Sequence, residues 1–114
     1  MIRVSNDPID APQALCAFER DMSDAGAIVS FTGQVRSQSA AGEVSALFLQ
    51  SYSPMTENGI EHALAGAQQR WPLAGALILH RIGEMRAGET IVFVATASKH
   101  RRAAFEAADF LMDY

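Results

Sequence analysis

The run Thr90-Ile91-Val92-Phe93-Val94-Ala95-Thr96-Ala97 is apolar or β-branched at nearly every position and reads as a buried strand. Without a glycine or proline it passes into Ser98-Lys99-His100-Arg101-Arg102. Residues Ala103–Tyr114 follow, rich in Ala, Leu, Met and Phe, and read as a helix. A strand leading straight into a helix demands a layered fold with helix against sheet. Ser98 sits at the expected N-cap. The cations after it have the wrong charge for that end. A helix N-terminus favours anions, by roughly 0.3–1 kcal/mol per charge, because its first N–H groups have no partner. A turn that accepts this cost repeatedly is suited to an anionic ligand. The competing reading is a solvated basic surface.

A helical wheel divides the cluster. At about 100° per residue, Lys99, Arg102, Glu106, Asp109 and Asp113 share a polar face, and Arg102 with Glu106 forms an i,i+4 pair. Arg101 falls on the stripe of Ala104, Phe105, Ala108, Leu111 and Met112, and His100 near Ala104, Ala107 and Leu111. A guanidinium on an apolar stripe needs a partner. Either a carboxylate of the same fold or a ligand phosphate or carboxylate would serve. His100 is either a core histidine with its bonds satisfied or an acid–base group.

The rest of the chain alternates strands and helices. Strands are expected at Ile2–Ser5, Ala27–Thr32, Glu43–Tyr52 and Ala76–Ile82, with a short one at Glu84–Arg86. A helix over Asp10–Met22 is capped by Asp10 with Pro12 in its first turn. A second starts at Pro54, carries the apolar line Ile60, Ala63, Leu64, Ala67 and Trp71, leaves His62 at the surface, and ends at Trp71-Pro72. Gly33–Gly42 is expected to be an open loop. The order β-α-β-β-α-β-β-α predicts an α+β sandwich with mixed or antiparallel pairing. The last helix is apolar over more than half its circumference, which points to a dimer or another partner.

With 114 residues and a net charge of −4, the chain is expected to form a single domain, without general affinity for nucleic acid or acidic membranes. There is no apolar run long enough to span a bilayer and no recognisable leader, so a cytoplasmic location is expected. Cys16 is alone, beside Leu15 and Phe18 in a helical pattern, and reads as a buried, inert thiol. No metal-ligand spacing or phosphate-loop motif is present, and no cofactor is expected. A second basic feature is Gly33-Gln34-Val35-Arg36 at the exit of the Ala27–Thr32 strand. If Arg36 converged with His100 and Arg101, the three would make a site for a phosphorylated small molecule.

Several stretches resemble the catalytic (large) subunit of molybdopterin synthase. They are Gly26–Arg36, Pro54-Met55-Thr56-Glu57, His80-Arg81-Ile82-Gly83-Glu84 with Gly88-Glu89, and Ser98–Arg101 running into Ala104–Ala107 and Phe110–Tyr114. Together they cover essentially the whole chain in order. The resemblance implies an α/β hammerhead fold and a homodimer of large subunits within a heterotetramer. Each large subunit would dock a small ubiquitin-like sulfur carrier whose C-terminal Gly-Gly thiocarboxylate enters the active site. The reaction it implies converts cyclic pyranopterin monophosphate to molybdopterin by delivering two sulfurs, building a dithiolene. It also places substrate contacts on Gln34, Val35, Arg36, His100 and Arg101. The arginines would bind the pterin phosphate, and His100 would orient substrate or move a proton. Phe31 and Met112 match residues lining the pocket.

Two departures carry expectations of their own. Ser51-Tyr52-Ser53-Pro54-Met55 replaces the family's His-Tyr-Pro-Gly-Met-like run, which would alter a loop near the dimer or partner surface. In the family the final helix continues into a Leu-Lys stretch and an aromatic-Lys segment whose lysines are the principal catalytic groups, whereas Lys99 is the only lysine among these residues. Either a tail follows Tyr114, so that the domain is truncated here, or the chain is catalytically impaired. Two other classes of function stand beside the enzyme: a non-catalytic α+β module that binds a phosphorylated ligand or a protein partner, and a structural subunit whose cations pair with its own carboxylates.

Overall fold

The computed structural model describes the backbone of residues 1–36, 38–39, 42–43, 46–49 and 55–113, and the side chains of 1–36 and 57–113. In chain order the elements are β1 (Ile2–Ser5), α1 (Ala11–Asp21), β2 (Ala27–Gln34), β3 (Gln38–Ser39), β4 (Gly42–Glu43) and β5 (Ala46–Leu49). There follow α2 (Met55–Arg70), β6 (Leu73–Arg81), β7 (Gly83–Arg86), β8 (Thr90–Ser98) and α3 (Arg101–Met112). The main sheet has the order β1-β6-β8-β2. β1 runs parallel to β6, and both remaining pairings are antiparallel, so the sheet is mixed as expected. β3 pairs with β4, and β5 with β7.

The apolar run Thr90–Ala97 lies in β8, flanked by a strand on each side and covered on both faces. Its side chains alternate. Phe93, Ala95 and Ala97 join Phe18, Ala11 and Ala25 beneath α1, while Val94 faces Ala63, Ala67 and Leu111 of α2 and α3. That strict alternation between two dry faces is why the run shows almost no polar residue. Thr96, on the α3 side, is fully buried and donates its hydroxyl proton to the Ala104 carbonyl at 2.7 Å, pinning helix to strand. Among the described residues no helix is long and apolar enough to cross a membrane.

Local chemistry explains the helix starts. Asp10 caps α1, accepting from the Gln13 N–H at 3.1 Å, with proline in the first turn. At α3 the expected cap is displaced. Ser98 is the last residue of β8, buried, and its hydroxyl donates to the Pro72 carbonyl at 2.8 Å. That bond draws Ser98 into the sheet, and the N-cap falls to His100, whose side chain makes no capping bond. The expected open loop after Thr32 is also shorter: β2 continues to Gln34 through a bulge at Gly33/Gln34. The altered segment before α2 lies, for Ser51–Pro54, outside the described residues.

Candidate functional site

Close packing builds the basic groove. Gly26 holds φ at 96°, and a Cβ there would sit 2.9 Å from the Lys99 carbonyl oxygen, so only glycine lets the chain entering β2 lie against the turn leaving β8. The result is an open groove of about 710 Å³ lined by Gly26, Ala27, Lys99, His100, Arg101, Arg102, Phe105 and Glu106. Three permanent cations and an imidazole face one carboxylate there, in a chain of net charge −4. Lys99, His100, Arg101 and Arg102 are all exposed, and among the described residues none of them forms an ion pair. The expected Arg102–Glu106 pair is not closed. The first turn of α3 has no acidic residue and its N-cap gives no side-chain bond, so the amide donors there remain available.

Arg101 does not lie on the buried stripe as the wheel predicted. The helix seats on the sheet through Ala104, Ala107, Ala108 and Leu111, and Arg101 and Phe105, one turn apart, are left at its outer edge. Phe105 is 60% exposed. The first turn of α3 stands beyond the end of β8, so no sheet covers Arg101. The guanidinium is solvated, and the burial cost anticipated from the wheel does not arise.

The predicted convergence of Arg36 with His100 and Arg101 does not occur within one copy of the chain. The β2–β8 register pairs Ala27 with Ser98 and Gln34 with Thr90. His100 and Arg101 therefore follow the end of β8 beside the start of β2, while Arg36 follows the far end of β2. Seven residue steps at the usual strand rise put the two groups roughly 23 Å apart. Gln34 and Arg36 are exposed, whereas Val35 between them is buried.

Phe31 and Met112 lie towards the Arg36 end. A Cβ on Gly33 would touch both the Phe31 ring and Val92, and Met112 shares with Val92, Ile91, Ile60 and His80 the lining of a cavity of about 140 Å³ between sheet and helices. Phe31 is 44% exposed and so is not plain core. His80 Nδ1 is buried without a hydrogen-bond partner among the described residues, and burial lowers the imidazole pKa, partly opposed by a backbone hydrogen bond involving Arg81.

Other residues changed status or were not singled out from sequence. Cys16 is exposed, not buried, because turning Phe18 towards the core puts Cys16 on the opposite side of α1. Arg20 Nη2 lies 4.0 Å from its sulfur. Arg81, only 9% exposed, pairs through Nη1 with Glu89 Oε1 at 3.2 Å. Its sequence signal was a lone arginine closing the apolar strand Ala76–Ile82, with a Gly-Glu turn nearby.

A family model described as MoaE protein matches residues 4–114. The molybdopterin synthase catalytic subunit of Pseudomonas aeruginosa is 47% identical over 113 residues, covering 99% of this chain and 75% of that one. That of Mesorhizobium japonicum is 45% identical over 113 residues, covering 99% and 70%. Among solved structures, the molybdopterin biosynthesis MoaE protein from Burkholderia ambifaria superposes with a TM-score of 0.89 at 36% identity, over all of this chain and 74% of that one.

Proposed function

The chain belongs to the MoaE protein family, and from that membership we propose that it acts as the catalytic, large subunit of a molybdopterin synthase. In this reading it is a cytoplasmic sulfurtransferase. It receives sulfur from the C-terminal Gly-Gly thiocarboxylate of a small ubiquitin-like partner and delivers two sulfurs to cyclic pyranopterin monophosphate, forming the molybdopterin dithiolene. The observation that carries the ligand class is the groove at the start of α3, where cations without carboxylate partners among the described residues surround uncapped helix N–H groups. A phosphate satisfies both at once. A structural subunit whose cations serve its own carboxylates would not leave them unpaired.

Within this reading Arg101 binds the pterin phosphate, and His100 orients the substrate or moves a proton. Arg36, with Gln34, supplies the second set of contacts. Val35 contributes as an anchor, since its side chain is in the core and both its backbone groups are engaged. Because β2 separates Arg36 from Arg101, a ligand held by both is held between two copies of the chain. A twofold dimer supplies that arrangement, each site taking Arg101 from one copy and Arg36 from the other. The exposed Phe31 and Phe105 give such a contact apolar area.

The test is to supply the protein with the thiocarboxylated small subunit and cyclic pyranopterin monophosphate. Molybdopterin should form, and Arg101→Ala and Arg36→Ala should each raise the substrate Kd by about tenfold or more, as loss of a charge-assisted phosphate contact demands. Unchanged binding in both variants would remove the site assignment. Binding without sulfur transfer would favour the non-catalytic module.

A further inference from the structure

Val35 fixes the Gln34–Arg36 segment. Its side chain is 4% exposed, its N–H donates to the Glu89 carbonyl at 2.9 Å, and its own carbonyl accepts from the Gly88 N–H at 2.8 Å. Both backbone groups of Val35 are thus held by the turn Arg86–Glu89, while Gln34 and Arg36 on either side point to solvent. The bulge at Gly33/Gln34 takes the chain out of the regular ladder just before this point. The direction in which Arg36 leaves the sheet therefore follows the placement of that turn.

The turn is braced from several sides. The Glu89 N–H donates to the Arg86 carbonyl at 3.1 Å, and Glu89 Oε2 accepts from the Arg86 N–H at 2.5 Å. Gly88 holds φ at 90°, which side chains rarely adopt. The other carboxylate oxygen meets Arg81, whose Nη2 also donates to the Glu84 carbonyl at 3.5 Å. The Arg86 N–H and then Arg81 hold the Glu89 carboxyl below its usual range. An exposed ion pair contributes little to stability. Here one partner is nearly buried and its Nε has no hydrogen-bond partner among the described residues, so the fold carries a desolvation cost to keep this guanidinium under the turn.

We propose that Arg81 and Glu89 form a positioning pair that fixes the Arg86–Glu89 turn, and through Val35 aims Arg36 at the phosphorylated pterin. The inference rests on the reading of Gln34–Arg36 as substrate contacts. Neither Arg81 nor Glu89 touches the ligand; both act through the backbone of Val35.

A double-mutant cycle on the whole protein tests it, with the Kd for cyclic pyranopterin monophosphate read from pterin fluorescence. Glu89→Gln should raise Kd about five- to tenfold in the wild-type background and less than about twofold when Arg36 is already alanine, since coupled residues are not additive. Glu89→Asp, which keeps the charge, should recover part of the loss. Equal weakening in both backgrounds would mean a merely structural role and overturn the proposal. So would an unchanged Kd for Glu89→Gln where Arg36→Ala does weaken binding. If Arg36→Ala itself leaves Kd unchanged, the placement of Arg36 at the ligand fails, a result read without reference to Glu89, and the proposal fails with it. Should Glu89→Gln not fold, Arg81→Lys enters the same cycle with the same expected pattern, because it keeps charge but loses the guanidinium fork.

Discussion

Gly26 shows how one residue can set both stability and site. Its φ of 96° and the 2.9 Å approach of the Lys99 carbonyl leave no room for a Cβ. Gly26→Ala should destabilise the chain by about 1–3 kcal/mol through backbone strain, visible as a lowered melting temperature. It should also widen the groove by pushing the turn that carries Lys99 and His100 away from β2. His80 acts at a different pH from the carboxylates. Burial lowers its pKa in the folded chain, so between that value and the ordinary 6.5 the unfolded chain binds more protons. Stability should therefore be full above about pH 7 and fall as pH drops through 6.5 towards the folded value. In His80→Gln, urea melts between pH 7.5 and 5.5 should lose this slope. Glu89 has the opposite charge logic. Its depressed pKa contributes stability above 4.5 that is lost only as pH falls through the lower folded value, below the histidine window.

At the scale of elements, α3 combines a well-seated body with a start left open. Thr96 and the alanines bind its middle to β8, whereas the N-cap His100 makes no side-chain bond and the first turn has no acid. A better cap is easily supplied. His100→Asp should raise stability by about 1 kcal/mol through capping and the helix dipole, seen in thermal melts. The same carboxylate would occupy the amide donors and repel phosphate, so pterin binding should weaken at least tenfold. His100→Asn caps without adding charge, and weaker binding in it than in His100→Ala, which equally lacks the imidazole, would show that the missing cap serves binding. From sequence the helix and its basic start were legible, because apolar periodicity and charge are local properties. The starting residue was not, since it depended on Ser98 bonding to the Pro72 carbonyl, 26 residues away.

For the whole molecule, the decisive dimension is the length of β2. It holds the two arginine-bearing ends apart, so a shared ligand implies a partner copy. Mixing Arg36→Ala and Arg101→Ala subunits supplies the test. Each mixed dimer would carry one site with neither arginine and one with both. Assayed at substrate well below Kd, an equal, randomly reassociated mixture should regain about a quarter of wild-type activity, above the roughly one tenth or less expected of each variant alone. No recovery in proven mixed dimers would mean that the arginines do not share a site.

What the sequence determined by itself were the properties that depend on neighbours in the chain. Among these were the buried β8, capped α1, the apolar line of α2, the mixed α+β class and the family, which rests on motifs in a fixed order. Tertiary structure decided what depends on residues distant in sequence. It moved the cap of α3 from Ser98 to His100, turned Cys16 outward, freed Arg101 from the core and buried Arg81 beneath Glu89. It also placed Arg36 and Arg101 at opposite ends of β2. Strand register decides that last point, and register comes from hydrogen bonds between β2 and β8, whose paired residues lie 56 to 71 positions apart in sequence.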